Sequence, residues 1–119
     1  MHRIPKSLDL APLLGLEVIQ VAIGHNEVIF NFHPEGMIRV EGGWVLKAED
    51  GAVIDLSMEH ADRDAWRVHK IIGCKIVKCM VRDDQHLDIF FDGAVLEIQD
   101  DSDHYVTFAI EHPALKLYV

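Results

Sequence analysis

The chain has 119 residues, half of them apolar and 26% charged, with 20 acids against 11 bases and a net charge of −9. That composition suits one globular domain, and it excludes a disordered chain or one that needs a metal or disulfide to build a core. The longest uncharged apolar runs stop far short of the ~18 residues of a membrane span, and the acidic balance opposes binding to nucleic-acid phosphates.

In chain order, SLDLAPLLG (7–15) reads as a short helix, with Ser7 as its cap and Gly15 as its stop. Before it, MHRIPKSLDLAPLLGLE meets Glu17 ahead of any apolar run of signal length, so secretion is not expected. Residues 16–23 alternate as a half-buried strand should, with Ile19, Val21 and Ile23 on one face. VIFNF (28–32) and MIRV (37–40) flank a His33-Pro34-Glu35-Gly36 loop and read as a hairpin. WVLKA (44–48) and AVIDL (52–56) flank Glu49-Asp50-Gly51, a strong hairpin signal.

SMEHADRDAWRVHKIIG (57–73) reads as an amphipathic helix capped by Ser57, with Ala61, Ala65, Val68 and Ile72 on one stripe and Gly73 as a left-handed stop. A further strand follows within 72–81. LDIFF (87–91) and AVLEI (94–98) then meet at Asp92-Gly93, and YVTFAI (105–110) and LKLYV (115–119) at Glu111-His112-Pro113, where proline breaks the ladder. The expected fold is mainly β with one bridging helix, as two similar, roughly five-stranded antiparallel halves that form a sandwich or barrel-like domain.

The two halves, 7–56 and 57–119, share one apolar pattern, as an internal duplication would leave. At an offset of 58, Gly15 matches Gly73, Val18 matches Ile76, and Ile38 and Val40 match Leu96 and Ile98. Phe30 and Phe32 match Ile89 and Phe91 at 59, while Leu46, Ala48, Val53 and Asp55 match Phe108, Ile110, Leu115 and Leu117 at 62.

Charge is distributed unevenly. Nine acids and no Lys or Arg lie between Asp83 and Glu111, just after six bases in 59–82. An acidic face built on Asp83, Asp84, Asp88, Asp100, Asp101 and Asp103 would steer towards a basic partner. Its plain alternative is a set of acidic turns paired with the neighbouring bases. Arg63, Arg67 and Lys70 beside Trp66 form a short basic stripe, which reads as solvated helix face.

Catalytic and cofactor signals are missing. There is no nucleophile elbow, phosphate loop or dinucleotide fingerprint. The eight histidines lack metal-ligand spacing, and QDDSDH (99–104) reads as an acidic turn, so no cofactor or metal is expected. Cys74 and Cys79 are too few for a disulfide framework, and would face opposite ways on a regular strand. The expected setting is therefore reduced and cytoplasmic.

The stretch EGGWVLKAEDG (41–51), the openings Leu14-Gly15 and Ile72-Gly73, and the hairpin Phe91-Asp92-Gly93 resemble a family of small bacterial proteins of unknown function. The resemblance implies a β-rich domain and supplies no catalytic residues. In size and acidity the chain also resembles bacterial immunity proteins that neutralise toxins. The leading expectation is a non-enzymatic inhibitor that occludes a basic toxin domain. The alternatives are a small-ligand or cryptic enzymatic domain with a pocket between the halves near Trp44, Trp66 and His69, and a homo-oligomer built on exposed strand edges.

Overall fold

A computed structural model describes residues 3–57, 65–102 and 106–119. Its strands are β1 (Glu17–Ile23), β2 (Val28–His33), β3 (Met37–Val40), β4 (Gly43–Ala48), β5 (Val53–Leu56), β6 (Ile76–Asp83), β7 (His86–Phe91), β8 (Ala94–Gln99), β9 (Phe108–His112) and β10 (Leu115–Tyr118). They form two five-stranded antiparallel sheets in a sandwich-like arrangement, without closing into a barrel. Valine, isoleucine and phenylalanine dominate the inward positions, where branched and aromatic side chains fit a pleated, half-buried surface.

The sheets do not coincide with the halves. One has the order β1-β2-β3-β9-β10 and the other β5-β4-β8-β7-β6, so each takes three strands from one half and two from the other. Exchanging the halves turns one order into the other. Register refines the correspondence: Ile38 faces Ile110 and Val40 faces Phe108, while Leu96 faces Leu46 and Ile98 faces Trp44. In that exchange Leu46 stands where Ile110 does, and Trp44 where Phe108 does, at an offset of 64, so the expected match of Leu46 with Phe108 at 62 is not reproduced and an internal duplication is not confirmed. The offset returns to 62 at Asp55 and Leu117, which face Leu46 and Ile110, because the β4–β5 loop is two residues longer.

Between the sheets, Phe30, Phe108, Ile38, Leu46, Leu87, Ile89, Leu96 and Ile98 are fully buried in one continuous core. The sheets meet where β1 approaches β6. Glu17 bridges Lys75, with Val18 N–H donating to the Cys74 carbonyl and Ile76 N–H to that of Leu16, both at 2.9 Å. Gly15 N–H reaches the Ile76 carbonyl and Gly73 N–H that of Val18. Gly15 (φ 84°) and Gly73 (φ 93°) take the left-handed region that side chains disfavour, as expected of stop positions.

The first expected helix shrinks, and only part of the second lies among the described residues. The first becomes a 3-10 turn, Ala11–Leu13, with Asp9 rather than Ser7 accepting a backbone N–H, that of Ala11. Of the bridging helix, residues 58–64 lie outside the described residues, and the described remainder holds only the 3-10 turn Val68–Ile71. Val68 and Ile71 are buried at spacing three, so the apolar stripe follows the tighter period and leaves Ile72 exposed. The Ser57 hydroxyl accepts the Trp44 N–H at 2.8 Å, and buried Asp55 caps the described turn, accepting the Arg67 and Val68 N–H groups.

Two β-bulges change which side chains point inward. In β1 the register slips between Val18 and Gln20, and in β6 between Ile76 and Lys78. The extra residue restores the wrong parity to the rest of the strand. Val18 and Val21 both pack on the core while Ile19 and Ile23 are exposed, so the expected single face of Ile19, Val21 and Ile23 is not formed. Cys74 and Cys79 likewise both pack against the core, instead of facing opposite ways, because the bulge at Val77 lies between them.

Candidate functional site

The expected acidic face separates into struts and rim. Asp100 is fully buried, where Arg3 Nη1 donates to its Oδ2 at 2.8 Å and Thr107 Oγ1 to its Oδ1 at 2.9 Å. Asp88 is 5% exposed and gripped by Arg82, whose Nε and Nη2 donate at 3.1 and 3.0 Å. Neither carboxylate is available to a partner. Alternation along β7 turns Asp88 into the sheet's ion pair, and a buried charge must be matched within the fold. Asp103 lies outside the described residues.

Asp83, Asp84 and Asp101 are exposed, and the backbone brings them onto one rim. Asp100 N–H donates to the Gln85 carbonyl at 2.7 Å, and Gln85 Nε2 returns a bond to the Asp100 carbonyl at 3.2 Å. The β6–β7 turn is thereby tied to the chain leaving β8. Ile4 N–H binds the Asp84 carbonyl, and Gly43 N–H binds Asp101 Oδ2. Asp83 accepts from the Gln85 N–H at 2.8 Å and meets His86 Nδ1 at 2.7 Å. The His86 ring bond, then the Gln85 amide, hold the Asp83 carboxyl below the usual range.

Much of the remaining acidity is matched within the molecule. Lys47 Nζ lies 3.1 Å from Glu97, Arg39 lies 3.4 Å from Glu41, and the Tyr118 hydroxyl donates to Glu111 at 2.9 Å. The plain alternative raised by the sequence, pairing with the neighbouring bases, describes Asp88 with Arg82, whereas Glu97 and Asp100 meet the more distant Lys47 and Arg3, and Glu111 meets a tyrosine hydroxyl. Of the basic stripe, Arg67 Nε is spent on the Ile54 carbonyl, Lys70 is exposed, and Arg63 lies outside the described residues.

Trp44 and Trp66 come together, their rings stacked with centroids 6.5 Å apart and 21° between planes, while His69 is exposed on its 3-10 turn. The hollow beside Trp44, about 120 Å³, opens instead towards Arg82, His86, Glu97 and Gln99. Another, of about 300 Å³, lies against Phe90 and Val95, with Lys78 Nζ 5.2 Å from the Phe90 ring centre. Sequence reasoning missed both, because each is walled by residues of strands that only register makes neighbours.

Among the described residues no group of His, Cys, Asp and Glu is arranged to hold a metal ion. No described helix is long and apolar enough to cross a membrane. Comparison with protein-family models, curated proteins and solved structures finds no match for the chain.

Proposed function

We propose that this chain is a non-enzymatic protein-binding module that presents the rim of Asp83, Asp84 and Asp101 to a basic surface of its partner. One observation carries the reading: the paired Gln85–Asp100 backbone and side-chain bonds hold two acidic turns side by side. Preorganised carboxylates lose little freedom on binding, and a rim charge acts mainly by steering encounter. The likeness to toxin-immunity proteins in size and acidity agrees with this reading and makes a cationic toxin domain the partner to test first.

The test is affinity capture from lysate with graded salt elution, comparing the native chain with Asp84→Lys/Asp101→Lys. Both positions are exposed, so the variant leaves the Asp100 and Asp88 struts intact. The expected result is a basic protein retained by the native chain, released at high salt and lost in the variant. Equal retention by both chains overturns the assignment of this rim.

A further inference from the structure

Four large aliphatic side chains stand exposed where β1 meets β6: Leu14 at 51%, Ile19 at 52%, Ile72 at 47% and Val77 at 58%. Scattered exposed aliphatics are ordinary. These four are not scattered. Each pair, Leu14 with Ile72 and Ile19 with Val77, is separated by 58 residues, the spacing that relates Glu17 to Lys75 at the bridge between the strands. Ile19 and Val77 are the bulged residues themselves, put outside by the two register slips. Bulges of this kind re-aim a side chain at a cost to the ladder.

The antiparallel bridge at Glu17 and Lys75 puts Gly15 across from Val77 and Gly73 across from Ile19. Nothing lies within 4 Å of where a Cβ on either glycine would stand. The outer face of this short ribbon therefore alternates a protruding aliphatic with a bare backbone, about a centre occupied by one acid and one base. We infer that this face is an isologous interface with a second copy of the chain.

Charge selects the occupant and its register. In a two-fold pair centred on the bridge, Glu17 meets either Glu17 or Lys75 of the second copy. Only the second register joins opposite charges at both contacts. It also seats Ile19 over Gly73 of the second copy, and Val77 over its Gly15, filling the space the glycines leave. The edge of β6 alone is a poorer seam, since Lys78 on it and Lys75 just before it repel the same positions of another copy.

Sedimentation velocity over a wide concentration range tests this on the full chain, with circular dichroism melts confirming that each variant folds. The native chain is expected to rise from 13.5 kDa towards twice that mass. Ile19→Asp/Val77→Asp, at exposed positions, is expected to stay at the monomer mass. Glu17→Lys alone should weaken association about tenfold, by setting like charges together at two contacts. Glu17→Lys/Lys75→Glu should restore it. A native chain that stays monomeric overturns the inference, as does a dimer that survives Ile19→Asp/Val77→Asp. A double exchange as weak as the single change overturns the register.

Discussion

Thr107 Oγ1 donates to Asp100 Oδ1 at 2.9 Å, and neither residue reaches solvent. The same hydroxyl lies 3.2 Å from the Val119 carbonyl, which also accepts the Thr107 N–H at 2.6 Å. A buried charge is thus tied to the entry of β9 and to the residue that follows β10. Thr107→Val keeps the shape and removes the hydroxyl, so a buried carboxylate loses a donor. A loss of about 1–3 kcal/mol in unfolding free energy is expected from urea titration. A variant as stable as the native chain would mean that Arg3 alone satisfies Asp100.

Asp55 is a second buried carboxylate, and it accepts from three backbone groups, the N–H of Leu56, Arg67 and Val68, at 2.9, 2.7 and 2.8 Å. Asp55→Ala leaves these donors without that acceptor, for an expected loss of roughly 1–3 kcal/mol or more. Hydrogen exchange at Val68 should accelerate in the variant before that of the core strands. Uniform acceleration across the molecule would show that the turn is not a separate local unit.

Burial pushes the Cys79 thiol up to about 11 from 9.0. At pH 8 its thiolate fraction falls about a hundredfold below that of an unperturbed thiol, so alkylation of the folded protein should be slow by a comparable factor. Mass spectrometry of the labelled peptide reads this directly. The sign for stability follows from linkage: the raised folded value favours the neutral form. That contribution is complete below pH 9 and is lost as the pH rises towards 11.

Asp83 behaves in the opposite sense. Its carboxyl is held low by His86 and by the Gln85 amide, so its contribution is present above the ordinary carboxylate range and is lost as pH falls through the depressed value. In Asp83→Asn the acid limb of the stability profile should flatten, the gap from the native chain closing as the pH drops. A gap that stays constant down to acid pH would locate the effect in packing rather than ionisation.

Gly73→Ala meets no neighbour, since nothing lies within 4 Å of its Cβ position, yet φ is +93°. Its cost is therefore conformational, of order 1–2 kcal/mol. Gly15→Ala, at φ +84° and equally open, is expected to match it in a thermal melt, and a large difference between the two would break the equivalence of the two corners.

Local chemistry determined much of this protein. Alternating apolar residues marked nearly every strand, Asp-Gly pairs marked two hairpins, and Gly15 and Gly73 marked the left-handed stops, because each signal lies within a few adjacent residues. Tertiary structure decided the rest. Which half supplies each sheet's outer strands depends on pairing across the whole chain, and no local period encodes it. The bulges at Ile19 and Val77 each shift parity by one residue, which sent two apolar side chains out and turned Cys79 in. Burial divided the acids: Asp88 and Asp100 became struts because their strands turned them towards Arg82, Arg3 and Thr107, while Asp83, Asp84 and Asp101 stayed on the rim. A carboxylate's neighbours across a sheet, rather than its neighbours in sequence, set whether it serves the fold or faces a partner.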